Sequence, residues 1–371
     1  MAEVLARVRR WLADSGVRGI VLTRPDGVAW LTGGMNPPIN RSAATDLVWA
    51  AVGPDRQALI TTGIERDRVE EDSCPASFGF EMVAVPWFGG SSFAEAAVRF
   101  LDAPAGALAT DGQQPFGISA GEAVVRLRLS HTAAAQDDLR RLGSDTVAAL
   151  EHALRGWEPG EVDRSIQARL VSRLEMCGAE AVVVLVGGDA RVERFRHPLA
   201  AGLPVERLVM AVVVARRGGL HVAATRLACA GRLDPALAGR LSLVRGVEAA
   251  VLEASRAGST YGAATLALTE GYAAAGWPGA WREHYQGGPI GYQDREFELA
   301  PTETASPWWD CPVDVGHAIA WNPSLGLGAK VEDTFLVGPQ GLECITPPAD
   351  WPTDVGAPGQ SMVRAAVLEL A

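Results

Sequence analysis

The segment AIAWNPSLGLGAKVEDTFLVGPQGLECIT, residues 318–346, carries the pattern on which the fold prediction for the second half of the chain rests. Its first residues complete the apolar run VGHAIAW, which has the length and composition of a buried strand. After that run the segment places Asn322, Lys330 and Glu332 on a predicted hairpin. These three polar side chains are candidate site residues, because they supply an amide, an ammonium group and a carboxylate.

Upstream of this segment, pairs of helices precede pairs of strands. Strands are predicted at AVVVLVG (181–187) and across RLVMAVVVARRGGLHVAATRL (207–227). Helices are predicted for 133–156, for a second stretch ending at Cys177, from Asp234 to Arg256 and from Tyr261 to Ala275. The pattern indicates helices packed on the outside of a curved, largely antiparallel sheet.

In the first part of the chain, predicted helices alternate with predicted strands. An amphipathic helix, MAEVLARVRRWLADSG, precedes the strand-like run GIVLTR, and Pro25-Asp26-Gly27 has the composition of a turn before the short apolar run VAWLT. LVWAAVG and QALITT predict two further strands, and a helix is expected from Ser92 to Leu101. Such alternation predicts an α/β layer domain over residues 1–132, followed by a second domain over 133–371.

Composition narrows the function classes. The 371 residues are 48% hydrophobic, and the net charge of −11 repels phosphate backbones and anionic lipids, so nucleic acid and membrane partners are not expected. No apolar run reaches the length of a membrane span, and the first helix lacks the apolar core of a signal peptide, which predicts a cytoplasmic protein. The five cysteines are far apart and predict free thiols.

Six local patterns occur in the order typical of the aminopeptidase P, prolidase and creatinase superfamily, and together they span nearly the whole chain. They are GVRGIVLTRPDGVAWLTGG (16–34), QDDLRRLGSDTVAALEHAL (136–154), GWEPGEVDRSIQARL (156–170), RHPL (196–199), HYQGGPIGY (284–292) and residues 318–346. The resemblance implies an α/β (α+β) protein with a small amino-terminal α/β domain and a carboxy-terminal pita-bread, creatinase-like domain. It also implies a homodimer, in which the small domain of one subunit closes the pocket of the other.

The resemblance includes a departure at the metal-binding positions. Metallopeptidases of this superfamily bind two metal ions through two Asp, one His and two Glu, because hard cations prefer carboxylate oxygens. Those positions hold Val212, Ala223, Gly288 and Asn322 here, and Glu332 alone keeps a ligand type. We therefore expect neither a metal site nor another cofactor.

Acid–base chemistry without metal is what the resemblance to creatinase implies. His197 matches its catalytic histidine, and His284 lies where peptidases of the family also carry one. An imidazole can accept a proton from water and pass one to a leaving nitrogen near neutral pH. His197, His284 and Glu332 are the candidate catalytic residues.

Further side chains are candidates for substrate binding. Arg295 could form a bidentate pair with a substrate carboxylate. The alternative is that the stretch DRE (294–296) is only a solvated run of charges. Trp308, Trp309 and Trp321 are candidates for an apolar or cation-accepting pocket, with core packing as the alternative. The remaining substrate-binding candidates are Arg196, Glu296, Tyr292, Asn322, Lys330, His221 and Arg41.

The function predicted from these residues is a creatinase-like, metal-independent hydrolase or related acid–base enzyme. It would act on a C–N bond of a small, polar, nitrogen-containing metabolite. Three alternatives stay open: a metal-dependent Xaa-Pro aminopeptidase or dipeptidase, a non-catalytic pseudoenzyme that binds a ligand or protein, and a lyase, isomerase or cyclase of secondary metabolism that uses the same proton transfer.

Overall fold

The computed structural model describes residues 1–35, 39–90, 92–113, 115–326, 328–355 and 363–371. The chain divides into two compact units. The first contains Met1–Thr132 with Gly218–Leu220, and the second contains Ala133–Arg217 with His221–Ala371.

The first unit is an α/β layer built on a mixed six-stranded sheet in the order β4-β3-β2-β1-β5-β6. The central strands β1 and β2 are antiparallel, whereas β1 and β5 run parallel. Trp49, Ile60 and Phe100 belong to an apolar core cluster of this unit. Its elements are α1 (Ala2–Ser15), β1 (Gly19–Leu22), α2 (Pro25–Thr32), β2 (Trp49–Val52), β3 (Gln57–Thr62), α3 (Arg66–Ser73), β4 (Glu81–Val85), α4 (Phe93–Leu101), β5 (Leu108–Thr110), β6 (Ile118–Ser119) and α5 (Gly121–Arg128).

One prediction in this unit is wrong. Pro25-Asp26-Gly27 begins the helix α2, and VAWLT continues that helix rather than forming a strand. Proline is favoured in the first helical turn, where its missing N–H has no intrahelical partner, and Asp26 lies at the positive end of the helix. Asp26 also pairs with the buried Arg128 at 2.7 Å. The helix α4 follows the prediction, with Ser92 and Glu95 forming a capping box.

The second unit contains two four-stranded sheets, in the orders β20-β11-β10-β8 and β12-β13-β16-β17, where the sequence predicted one curved sheet. The pairs β8–β10, β12–β13, β13–β16 and β16–β17 are antiparallel, and β11 runs parallel to β20. Its elements are α6 (Ala133–Arg155), β7 (Glu161–Val162), α7 (Asp163–Met176), β8 (Glu180–Gly188), α8 (Asp189–Arg194), β9 (Pro204–Val205), β10 (Leu208–Arg217), β11 (Leu220–Ala230), α9 (Pro235–Ala254), α10 (Tyr261–Ala274), β12 (Gly287–Ile290), β13 (Ala318–Trp321), β14 (Ser324–Leu325), β15 (Ala329–Lys330), β16 (Asp333–Gly338), β17 (Gly341–Cys344), β18 (Thr353–Val355), β19 (Val363–Ala365) and β20 (Leu368–Leu370).

Bonds between β11 and the start of β16 join the two sheets. The backbone N–H of Thr225 donates to the carbonyl of Glu332 at 2.9 Å. The hydroxyl of Thr334 accepts from the N–H of Ala223 and donates to its carbonyl. The hairpin of 318–346 is thereby held against the strand that carries Thr225. Among the described residues, no helix is long and apolar enough to cross a membrane.

Candidate functional site

Glu332 is a buried carboxylate held by several partners. Its side chain is 2% exposed, and it lies immediately before β16. Arg295 donates to Oε1 at 2.9 Å, and the hydroxyl of Thr225 donates to Oε2 at 3.0 Å. The ammonium group of Lys330 lies 4.0 Å from Oε2. Burial lowers the pKa of Lys330, while the charge of Glu332 raises it. The cluster therefore combines two cations with one anion.

A buried charge network fixes the start of β16 next to Glu332. Asp333 accepts from Arg226 at 2.9 Å and from the hydroxyl of Thr346 at 2.8 Å. Arg364 lies 2.7 Å from its second oxygen and donates through two nitrogens to Glu248. Since the charged side chains of this network are 5% exposed or less, each carboxylate depends on its guanidinium partners for compensation.

Two imidazole rings lie beside this cluster. The ring centroids of His197 and His284 are 6.2 Å apart. Nδ1 of His284 lies 2.5 Å from the carbonyl of Tyr285, and Nε2 lies 2.7 Å from the hydroxyl of Ser324. Because a carbonyl only accepts, this network assigns the proton to Nδ1, so that Nε2 accepts from Ser324.

Both imidazoles are held neutral near pH 7. Burial, followed by the positive charge of Lys330, lowers the pKa of His284 to about 3. The same two causes lower the pKa of His197, and Glu332 raises it in the opposite direction. His197 itself is in an exposed loop position. An imidazole must be neutral to abstract a proton, so rings in this protonation state can act as bases.

Asn322 holds the backbone that carries His284. With its amide nitrogen turned towards the loop, Asn322 donates to the carbonyls of Tyr285 and Gln286. The backbone N–H of Asn322 also donates to the carbonyl of Gln286 at 3.0 Å. The described geometry therefore gives Asn322 a positioning contact with the loop.

Other predicted site residues have local partners. Arg196 forms an ion pair with Glu283. Glu296 accepts from the N–H groups of the buried Tyr292 and of Gln293, which closes a turn.

His221 and Arg41 lie on different units. The N–H of His221 donates to the carbonyl of Gly291, and its Nδ1 lies 2.9 Å from the same oxygen. Period-two alternation places His221 on the face of β11 that also carries Thr225. Arg41 is exposed in the first unit, and its role towards a partner subunit stays a prediction.

The donor set does not fit a dinuclear metal centre. Val212 belongs to an apolar cluster with Leu185 and Leu227, and Ala223 is fully buried. Gly288 has a φ of 148°, and a Cβ there would lie 3.3 Å from the carbonyl of Phe297, so a histidine would be strained. In the described ranges, no group of three or more His, Cys, Asp or Glu side chains could hold a metal ion.

Sequence reasoning missed two hydroxyl groups of the site. Ser324 pairs with Lys330 in the β14–β15 ribbon, which sets it on the face that holds the cluster. Thr225 was not among the candidate site residues.

Comparisons with known proteins confirm the fold. No family model and no curated protein sequence matches the chain. The Xaa-Pro dipeptidase from Bacillus anthracis has a TM-score of 0.75 at 18% identity, with coverage of 100% of this chain and 99% of that one. The prolidase from Pyrococcus horikoshii OT3 also has a TM-score of 0.75, at 15% identity, over 93% of this chain and 98% of its own. The predicted amino-terminal α/β domain with a carboxy-terminal pita-bread domain is therefore correct.

The same fold also occurs outside the peptidases. The N-terminal domain of the FACT complex subunit SPT16 from Cicer arietinum has a TM-score of 0.68 at 10% identity, over 94% of this chain and 97% of that domain. A fold shared by dipeptidases and a subunit of such a complex does not specify one activity. Function has to be argued from the side chains of the site.

Proposed function

We propose that this protein is a peptidase-like hydrolase that cleaves a C–N bond in a small, nitrogen-containing substrate, with His197 as the acid and base and His284 as an orienting group. The observation that carries the proposal is the pair of neutral imidazoles, 6.2 Å apart, beside a buried cluster of two cations and one carboxylate. Perturbed titratable groups that converge in this way are typical of acid–base sites.

The chemistry follows from the protonation states. A neutral imidazole accepts a proton from the attacking water and, once protonated, donates one to the leaving nitrogen. His197 is the more accessible ring, while the hydrogen bonds of His284 to Tyr285 and Ser324 fix its orientation. His197 is therefore the proposed acid and base, and His284 the group that orients water or substrate.

The charges of the cluster support a substrate that carries or develops negative charge. Arg295 carries a positive charge, and Lys330 adds a second one when its amine is protonated, against the single charge of Glu332. Lys330 lies at the buried end of this arrangement, where a cation interacts strongly with an oxyanion. Arg295 is partly engaged by Glu332 and by the carbonyl of Asp294. Lys330 is therefore the better candidate for contacting a substrate carboxylate or a tetrahedral oxyanion.

Hydrolysis of Xaa-Pro dipeptides by a metal-dependent route is the second candidate. The names of the solved structures with this fold favour it over a metal-independent reaction, since they include Xaa-Pro dipeptidases and prolidases. The donor set of this chain opposes it, because Glu332 is paired with Arg295 and the other four ligand positions carry no carboxylate or imidazole. The two candidates share the bond type and differ in the need for metal.

Metal analysis and activity assays on one preparation separate the candidates. Protein purified without added metal is analysed for bound metal, and is then assayed on proline dipeptides with and without Mn²⁺, Co²⁺ or Zn²⁺, and on small amides, ureas and amidines. The proposal predicts less than about 0.1 equivalent of metal and turnover that metal does not increase. About two equivalents of metal with metal-dependent dipeptide cleavage would establish the second candidate instead.

Variants connect any turnover to the site. His197→Ala should remove most activity, whereas His152→Ala, in the helix α6, is the matched control and should retain it. Saturable ligand binding without turnover in any assay would favour the pseudoenzyme. A homodimer is a further proposal from the resemblance, and light scattering in solution tests it directly.

A further inference from the structure

A cavity of about 330 Å³ lies in the second unit, and its lining includes His284 but not Glu332, Lys330 or Arg295. It is bounded by α10, by the segment 281–286 and by residues 298–303. The indole rings of Trp281 and Trp321 and the aliphatic side chains of Leu268 and Leu299 form much of its wall. This size and this mixture of aromatic and aliphatic groups are typical of sites for small organic molecules.

Most polar side chains that line the cavity already have partners. Gln286 donates to the carbonyls of Trp281 and His284 and accepts from Tyr272. Trp321 donates to Ser255. These groups therefore shape the cavity wall, and they offer few free hydrogen bonds to a ligand.

Two further polar groups of the lining also have hydrogen-bond partners. Thr265 donates to the carbonyl of Tyr261, and Glu303 accepts from the N–H of Ala300. Glu298 is half-buried, and the described contacts give its carboxyl group no hydrogen-bond donor and no ion pair within 4 Å. Burial raises the pKa of Glu298, and the charge of Arg295 acts in the opposite direction. A carboxylate in a largely apolar wall gains most from a cationic partner that enters the cavity.

One of the indole rings already accepts a cation. The guanidinium of Arg282 lies 4.3 Å from the ring centroid of Trp281. The faces of indole rings attract organic cations, and the attraction grows when the cation is shielded from water. Indole rings beside an available carboxylate are the combination that recognises an ammonium group on an apolar body.

We propose that this cavity binds a small organic ammonium ion, with its charge at Glu298 and its apolar body between Trp281 and Trp321. The inference goes beyond the proposed hydrolase activity, because it depends on the cavity and not on proton transfer by His197. His284 belongs both to the wall of this cavity and to the proposed hydrolase site.

Calorimetric titration with benzylammonium tests the proposal on the full chain, with benzyl alcohol and benzoate as the neutral and anionic probes. Benzylammonium should bind saturably and more tightly than either of the other two. Glu298→Gln and Trp281→Leu should each weaken its binding by about tenfold or more. Trp277→Leu is the matched control, because Trp277 is a part-exposed indole under Arg240 and does not line the cavity.

Three results would overturn the inference: no saturable binding of benzylammonium, equal binding of benzoate, or unchanged binding in Glu298→Gln that folds as the parent does. Circular dichroism and thermal unfolding establish folding, and Glu298→Asp provides a second variant that keeps the charge but shortens its reach. His197→Ala separates this inference from the hydrolase proposal. That variant should bind benzylammonium normally even where it has lost turnover, so each proposal fails on its own measurement.

Discussion

Replacing Arg364 by Met removes the guanidinium that joins two buried carboxylates next to the site. In the native chain it donates through Nε and a terminal nitrogen to Glu248, and another terminal nitrogen lies 2.7 Å from Asp333. The side chains of Arg364, Glu248 and Asp333 are 5%, 3% and 3% exposed. Removing one partner of such a group leaves buried charge without compensation, which typically costs about 3–5 kcal/mol of the free energy of unfolding.

The loss should depend on pH in a defined direction. Burial already raises the pKa of Glu248, so the folded state binds that proton more tightly than the unfolded state. Stability from such a group is present at low pH and is lost as the pH rises through the folded pKa. Arg364→Met removes the positive charge that lowers this pKa, and so raises it further. The variant should therefore lose more stability at about pH 8 than at about pH 5.

Urea unfolding at the two pH values, followed by tryptophan fluorescence, measures the difference. Arg141→Met is the matched control, because Arg141 pairs with Asp138 on the surface at side-chain exposures of 64% and 53%. Surface pairs of this kind contribute about 0–1 kcal/mol. A loss below about 1 kcal/mol for Arg364→Met, or an equal loss at both pH values, would refute the argument that this network depends on Arg364.

Three further predictions concern the site. His197→Ala should lower kcat by about 10²–10⁴-fold in whichever assay detects turnover, and an undiminished kcat would remove His197 from the mechanism. In an NMR titration of the histidine rings, Lys330→Met should raise the pKa of both His197 and His284. Glu332→Gln should lower the pKa of His197, and shifts of His197 with the same sign in the two variants would contradict the charge assignment. Ser324→Ala should change the Nε2 chemical shift of His284 and lower kcat, and Ser324→Thr, which keeps the hydroxyl, should restore both; an unchanged shift would show that the hydrogen bond does not form in solution.

The fold was predictable from the sequence because its evidence is local. The apolar run 181–187 lies within β8, and the run 207–227 covers β10 and most of β11. Helix caps such as Ser92 stand directly before the helices that they begin. The α2 helix was mistaken for a turn and a strand because Pro-Asp-Gly suits both a turn and a helix start. Only the tertiary pairing of Asp26 with Arg128, 102 residues away, distinguishes the two.

The site was less predictable because its partners come from distant segments. Glu332 and Arg295 were both candidates, but nothing in the sequence indicates that they pair with each other. Asn322 was expected to offer its amide to a substrate, whereas its position fits a bond to the loop at Tyr285. The protonation state of His284 was unpredictable for the same reason. Its pKa is lowered by burial and by residues that are distant in the sequence, and the residue type alone gives no indication of this shift.

The pairing of Arg295 with Glu332 gives a physical reason why this carboxylate is stable in a buried position without a metal ion. A carboxylate that is 2% exposed needs a cation nearby, because its water has been removed and little else in the interior compensates the charge. In the resemblance on which the sequence prediction rests, that cation is a metal; here the guanidinium of Arg295 donates to one oxygen and Thr225 to the other. Release of the guanidinium would leave Glu332 with the hydroxyl of Thr225 and with Lys330 at 4.0 Å, so Arg295 competes with any metal for the same oxygen. Introducing a single carboxylate or imidazole at Val212, Ala223, Gly288 or Asn322 would therefore not create a metal site while Arg295 remains.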